Sequence, residues 1–310
     1  MHRIPRRAAE HAFVSPARSP YDQVGSAYAA YADGHSDRLL AFDGLHAYAD
    51  KCVWAQLSAK LRTLRAQGAT SVSILDAGCG PGTWLCRLVA QAHWLGFTDI
   101  RARGFDVAEL QVAAARKKGR ALARLPGVTL VFDVADLLEP LPEADASVDL
   151  TVCLYSVLSH LPREALPKVA AEFARVTRGH FITTVRAVGS TPTIFVDSLE
   201  NARSFRQDHA HDRCTVELAN GAHLDMPSHL YSARELASCF SPVFEIEDLS
   251  GLDLFHGRFT PDRRWNPAAL SARDDAVEAA LVRLEETYAH DKHLIDRANH
   301  LLLVARSRAH

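Results

Sequence analysis

The sequence predicts an α/β fold: a parallel sheet with helices on both faces, preceded by an N-terminal helical cap and interrupted late in the chain by insertions. Three observations predict it. Strand-like and helix-like stretches alternate from residue 72 to 185, the order that makes parallel strands joined by helical crossovers. The first three strand signals each end in an acid, Asp76, Asp106 and Asp133. A turn rich in glycine, with Gly78, Gly80 and Gly82, joins the first strand to the first crossover helix.

The elements follow in order. Residues 21–31, with Tyr21, Tyr28 and Tyr31, form a short helix or lid segment. Leu45, Tyr48, Val53, Leu57, Leu61 and Leu64 fall near helical spacing, so a helix covers 44–68 and stops at Gly68. Strands follow at 72–76, 100–106, 128–132, 148–154 and 180–185. Helices at 82–94, 108–125 and 162–177 separate them, and Pro126-Gly127 stops the second. The pattern then breaks: 188–231 is polar and irregular, with five histidines between Val188 and Arg258. A helix at 232–239 and a strand at 243–246 come next, then helix starts at Asn266-Pro267 and Ser271. Val277, Leu281, Leu284 and Tyr288 make one apolar helical stripe, and His290 and His293 share a solvated helix face. A strand at 300–305 ends the series.

Composition narrows the function. The 310 residues are 48% hydrophobic and 23% charged, ordinary globular usage that excludes a disordered chain. Lys and Arg number 35 against 37 Asp and Glu, so no basic excess exists to hold a phosphate backbone. The six cysteines form no C-x-x-C pair and read as free thiols in a reducing, cytoplasmic compartment. No apolar run approaches a membrane span. The Arg-rich first residues lack the apolar stretch of a secretory signal and read as a surface tail.

Asp76-Ala77-Gly78-Cys79-Gly80-Pro81-Gly82 is the sharpest feature. Glycines there let the backbone pass close to a ligand. The spacing is G-x-G-x-G and not the G-x-G-x-x-G of dinucleotide sites. An acid two residues before the first glycine suits a cationic amino group better than a pyrophosphate. Asp106 suits ribose hydroxyls, and Asp133 suits an exocyclic amine such as that of adenine.

These residues, with Phe132-Asp133-Val134-Ala135-Asp136-Leu137 and Leu158-Ser159-His160-Leu161-Pro162, resemble class I S-adenosylmethionine-dependent methyltransferases of the small-molecule type. The resemblance covers about 72–185 and the closing strands. It implies a Rossmann-like seven-stranded sheet whose last strand is antiparallel. It implies S-adenosylmethionine as cofactor, with Asp76, Gly78, Cys79, Gly80, Gly82 and Leu154 beside the methionine part. Asp106 then holds the ribose, Asp133 and the Val134 backbone read the adenine, and an N-terminal aromatic such as Tyr28 closes over the cofactor. The chain divides into a tail and helical cap, 1–68, and a methyltransferase domain, 69–310. That domain carries an acceptor-pocket insertion at 188–231 and a helical insertion at 251–298.

Methyl transfer needs the nucleophile held in line and water excluded. A hydroxyl acceptor also needs a base. His160, on the ligand edge after the fourth strand, is the candidate base, with Tyr155 a second candidate beside it. Arg186, Asp208, His229 and Arg258 are candidate acceptor contacts. Asp208-His209-Ala210-His211-Asp212 has alternating histidines but no third ligand fixed by sequence, and the chemistry requires no metal, so none is assigned. The expected reaction is methylation of a small molecule, on oxygen rather than nitrogen, by a monomer or homodimer without nucleic-acid or membrane partners. The rival is a non-catalytic protein that binds the same cofactor, as a regulator or partner subunit. A nicotinamide oxidoreductase conflicts with the glycine spacing.

Overall fold

The structure, a computed structural model, describes residues 39–42, 46–190, 202–256 and 275–308. The helix expected at 44–68 is α1 (Ala47–Ala66), which buries Ala49, Val53, Leu57 and Leu61. The alternating core follows as β1 (Ser71–Ala77), α2 (Thr83–Trp94), β2 (Asp99–Asp106), α3 (Glu109–Gly119), β3 (Val128–Val134), β4 (Val148–Cys153), α4 (Leu166–Val176) and β5 (Thr177–Arg186). Later come β6 (Ala202–Asp208), β7 (Arg213–Leu218), β8 (His223–Pro227), α5 (Ala233–Phe240), β9 (Phe244–Leu252), α6 (Asp275–Tyr288) and β10 (His300–Ser307).

Seven strands form one sheet in the order β3-β2-β1-β4-β5-β10-β9. The first five are mutually parallel, and β10 enters antiparallel between β5 and β9. The order reverses between β1 and β4, which opens a crevice above their carboxyl ends. β10 runs the other way, so its first residue, His300, opposite Arg186, reaches that same edge. One face of the sheet packs α1, α2 and α3 around Val53, Leu57, Leu88, Val89 and Val112. The other packs α4 and α5, with Phe173, Phe240 and Phe244 stacked on Phe181 at ring separations of 4.9 to 5.2 Å.

Several expectations change. The helix expected over 108–125 ends at Gly119, and a 3-10 turn, Leu122–Arg124, completes the connection. The one expected over 162–177 starts as a 3-10 turn and becomes α-helical only at Leu166. His290 and His293 lie beyond the end of α6, so they share no helix face. Of the α6 stripe only Leu281 is buried, while Val277 and Leu284 are exposed. The buried polar member is Glu285, which accepts from the backbone N–H groups of Leu254, Phe255 and His256.

The largest miss is 188–231. Its stretch from Ala202 to Pro227 is a second sheet, β6-β7-β8, wholly antiparallel. Its signal was period two: Cys214 and Val216 on β7, and Leu224 and Met226 on β8, are buried and alternate with charged residues. Asn220-Gly221 makes the turn, with the Asn220 side chain accepting from Ala222 N at 3.0 Å. β7 and β8 each carry only two core residues and β6 none among its described side chains, which short-range polarity hides.

Candidate active site

The glycine turn forms because β1 must reverse into α2 over one short loop. Gly78 and Gly82 have φ of +74° and +78°, where side chains are strained. A Cβ on Gly78 would collide with the Val157 methyls, and one on Gly82 would lie 2.8 Å from Ala115 Cβ. The turn is pinned from β2: Gly78 N and Cys79 N both donate to Phe105 O at 2.8 Å. Asp106 completes it, accepting from Gly80 N and Ala108 N, each at 2.9 Å.

Beyond the turn lies a cleft walled by Gly78, Gly80, Asp106, Gln111, Asp136, Leu154, Tyr155, Val157 and His160 among others. Within β1, two residues before Gly78, Asp76 is 2% exposed, and its Oδ2 has no hydrogen-bond partner. Burial, with Asp106 adding to it, pushes the Asp76 carboxyl up to about 7. A buried carboxylate oxygen without a donor is costly, and a cationic amino group would satisfy it. The turn that a Cβ would fill and this orphaned oxygen fit an amino-acid-bearing nucleoside such as S-adenosylmethionine. Cys79 is buried, and burial raises its thiol well above the usual range, so it is inert in the free protein.

The structure places Asp133 and Val134 away from the cleft. β3 continues to Val134, so Asp133 lies within the strand, where its side chain meets Arg103 Nε at 3.0 Å. Neither Asp133 nor Val134 walls the cleft, whereas Ala135, Asp136 and Leu137 do. Two acids, Asp133 and Asp136, stand in one short run, and periodicity alone did not say which one followed the strand. Gln111 on α3 and Val157 are further cleft residues that sequence reasoning missed.

The far wall carries the candidate base. Tyr155 and Ser156 take left-handed φ of 53° and 71° at the end of β4, and Thr184 Oγ1 accepts from Tyr155 N at 2.7 Å. Strained non-glycine residues of this kind cluster at functional sites. The Tyr155 hydroxyl donates to Asp50 of α1, so Tyr155 ties the cap helix to the cleft. His160 is 4% exposed and its Nδ1 lies 2.6 Å from Pro227 O. A carbonyl only accepts, so Nδ1 carries the proton and Nε2 of the neutral ring is the accepting nitrogen. Burial, with Arg186 adding to it, pushes His160 down to about 4.

The other expected contacts divide. Arg186 is buried beside this wall and donates to Ser190 Oγ at 3.0 Å. His229 lies between the carboxylates of Asp212 and Glu235, each at 2.9 Å, and away from the cleft. Asp208 caps the β6–β7 turn, accepting from Ala210 N and His211 N, and also stays outside the cleft. Tyr28 and Arg258 lie outside the described residues.

Residues 74–180 match a family model described as a methyltransferase domain. Comparison with curated proteins finds no match. Among solved structures, the (4+2)-cyclase SpnF is similar over 96% of this chain and 98% of its own, at 20% identity and a TM-score of 0.53. Magnesium protoporphyrin IX methyltransferase (ChlM) from Synechocystis PCC 6803, solved with bound SAM, is similar over 97% of this chain and 100% of its own, at 14% identity and a TM-score of 0.50. A cyclase and a methyltransferase share the fold, so the fold alone does not fix the reaction. The domain match and the glycine-turn site define a nucleoside-binding transferase. Residues 74–180 therefore carry a methyltransferase domain, and the glycine turn with its orphaned Asp76 oxygen fits S-adenosylmethionine as cofactor.

Proposed function

We propose that the chain methylates a small-molecule acceptor, on oxygen in preference to nitrogen, with His160 accepting the acceptor's proton. The observation that carries this reading is His160 itself: a neutral imidazole on the wall of the cofactor cleft, with its tautomer fixed by Pro227. S-adenosylmethionine supplies, when bound, a methyl group on a sulfonium whose leaving group departs neutral. The chain's own tasks are to hold the nucleophile in line and to exclude water. At neutral pH burial keeps the His160 ring unprotonated; so weak a base takes the proton only late, once alkylation has made the hydroxyl strongly acidic.

Residues 188–231 serve the acceptor side in this reading. Pro227 holds His160, His229 N donates to Ser159 O at 2.8 Å, and the Tyr231 hydroxyl donates to Leu158 O. The second sheet therefore grips the turn that carries the base. Residues 1–68 act as tail and cap, 69–310 as the methyltransferase domain, and the helical insertion at 251–298 borders the acceptor side. A net charge of -2 favours a small acceptor over nucleic acid. No helix among the described residues is long and apolar enough to cross a membrane. Six free cysteines suit a cytoplasmic setting, with a monomer or homodimer as the working unit.

The test is a screen of phenols, carboxylic acids and amines with methyl-labelled cofactor. The expected result is label on an oxygen acceptor, falling by roughly a hundredfold or more in His160→Ala, with S-adenosylhomocysteine affinity retained. Full turnover in that variant, or label on nitrogen alone, overturns the reading.

A further inference from the structure

At the acceptor end of the sheet edge three segments far apart in sequence meet. His46 precedes α1, Asp253 follows β9, and His300 opens β10. One ligand atom from each lies within 4.8 Å of the other two. The contacts among them are poor for a finished hydrogen-bond network. His46 Nδ1 and Asp253 Oδ2 are 3.4 Å apart, longer than a good hydrogen bond. His300 is 6% exposed, and its Nδ1 is buried with no partner. Asp253 is 3% exposed and takes a left-handed φ of 57°, a backbone state that a side chain adopts at a cost.

A neighbouring cluster supplies the contrast. Asp253, His256 and Glu285 also come within 4.8 Å of one another. There Glu285 already accepts three backbone N–H groups, and its carboxylate meets His256 Nδ1 at 3.1 Å. His256 reaches Glu278 with its other nitrogen at 3.1 Å and stacks on Tyr48. That set is satisfied by its own groups and serves to fix the loop that presents Asp253.

We propose that His46, Asp253 and His300 bind a divalent transition-metal ion. Two imidazoles and one carboxylate form a donor set that suits zinc, iron(II), cobalt(II) or manganese(II), with positions left over for an exogenous ligand. Tyr155 joins this site to the cofactor cleft, its ring 5.4 Å from that of His300 and 6.3 Å from that of His46. The ligand class that follows is an acceptor bearing hydroxyl or carboxylate oxygens able to coordinate the ion. That use of the ion rests on the methyl-transfer reading, while the binding itself does not.

The experiment is a cobalt(II) titration of the chelator-treated full chain, read by visible d–d absorption, with zinc as competitor. One equivalent of cobalt should bind per chain and be displaced by zinc. Its affinity should fall at least roughly tenfold in Asp253→Asn and in His300→Ala, with S-adenosylhomocysteine affinity unchanged within about twofold. His46→Ala alters a half-buried side chain and decides the matter if the two buried variants misfold. No stoichiometric cobalt or zinc binding by native protein that binds S-adenosylhomocysteine overturns the proposal. So does cobalt binding that is unchanged in the correctly folded variants, which would place the ion on other histidines. Cobalt binding that depends on the triad in a chain that fails to bind S-adenosylhomocysteine would keep the metal site and sink the methyl-transfer reading.

Discussion

The two sides of the cleft are built in opposite ways. The cofactor side comes from consecutive elements: β1, its glycine turn, β2 with Asp106, and the segment after β3 with Asp136. The opposite wall, which the proposed reading gives to the acceptor, is gathered from across the chain. His160 leans on Pro227, Tyr155 on Asp50, and His46 on Asp253. A local chain reversal constrains residue type at each step, so the first side imposes a motif. Contacts between distant segments constrain only pairs, and leave nothing periodic to read.

Breaking the local side should produce the largest effects. Gly78→Ala places a Cβ against Val157 at a φ of +74°. It should cost about 1–2 kcal/mol of stability from the backbone alone, and abolish S-adenosylhomocysteine binding measurable by calorimetry. Retained micromolar binding would show that the turn does not touch the ligand. A smaller effect sharpens the choice between the two acids after β3. Asp136→Ala should weaken the same ligand by about tenfold, near 1.4 kcal/mol, whereas Asp133→Ala should stay within about threefold because its side chain faces Arg103. The reverse ranking would restore Asp133 as the adenine contact.

The distant side should respond in stability before it responds in cofactor affinity. Tyr155→Phe removes the donor to the buried Asp50 carboxyl and should lower stability by about 1–3 kcal/mol. Ligand affinity should stay within about twofold. A large loss of affinity with unchanged stability would make the Tyr155 hydroxyl a cofactor contact instead of a tie to α1.

This contrast also explains how much the sequence disclosed. Strand–helix alternation located all five strands of the parallel half, the G-x-G-x-G turn singled out Asp76, and the end of the second strand singled out Asp106, because these follow from short-range geometry. Asp133 and Asp136 are hard to tell apart in sequence because an acid near a strand end looks the same inside it as just beyond. The β6–β7–β8 sheet was missed because its short strands bury only alternate residues among charges. Buried Glu285 was invisible for a different reason: its partners are backbone N–H groups, which carry no sequence signal. His46, Asp253 and His300 bear no spacing relation to one another, so only the assembled sheet edge brings them together.

The central claim is that the unpartnered Oδ2 of Asp76 receives the cofactor's ammonium group. Calorimetric titration with S-adenosylhomocysteine across neutral and mildly acidic pH tests it most directly. In the free protein Asp76 is raised to about 7, and a cation beside it would lower that value. Below pH 7 the carboxyl must therefore release a proton on binding, and affinity should fall roughly tenfold per pH unit, while above it affinity should level off. Asp76→Asn should bind more weakly above neutrality and lose this slope. An affinity independent of pH in the native protein, matched by Asp76→Asn, would contradict the account.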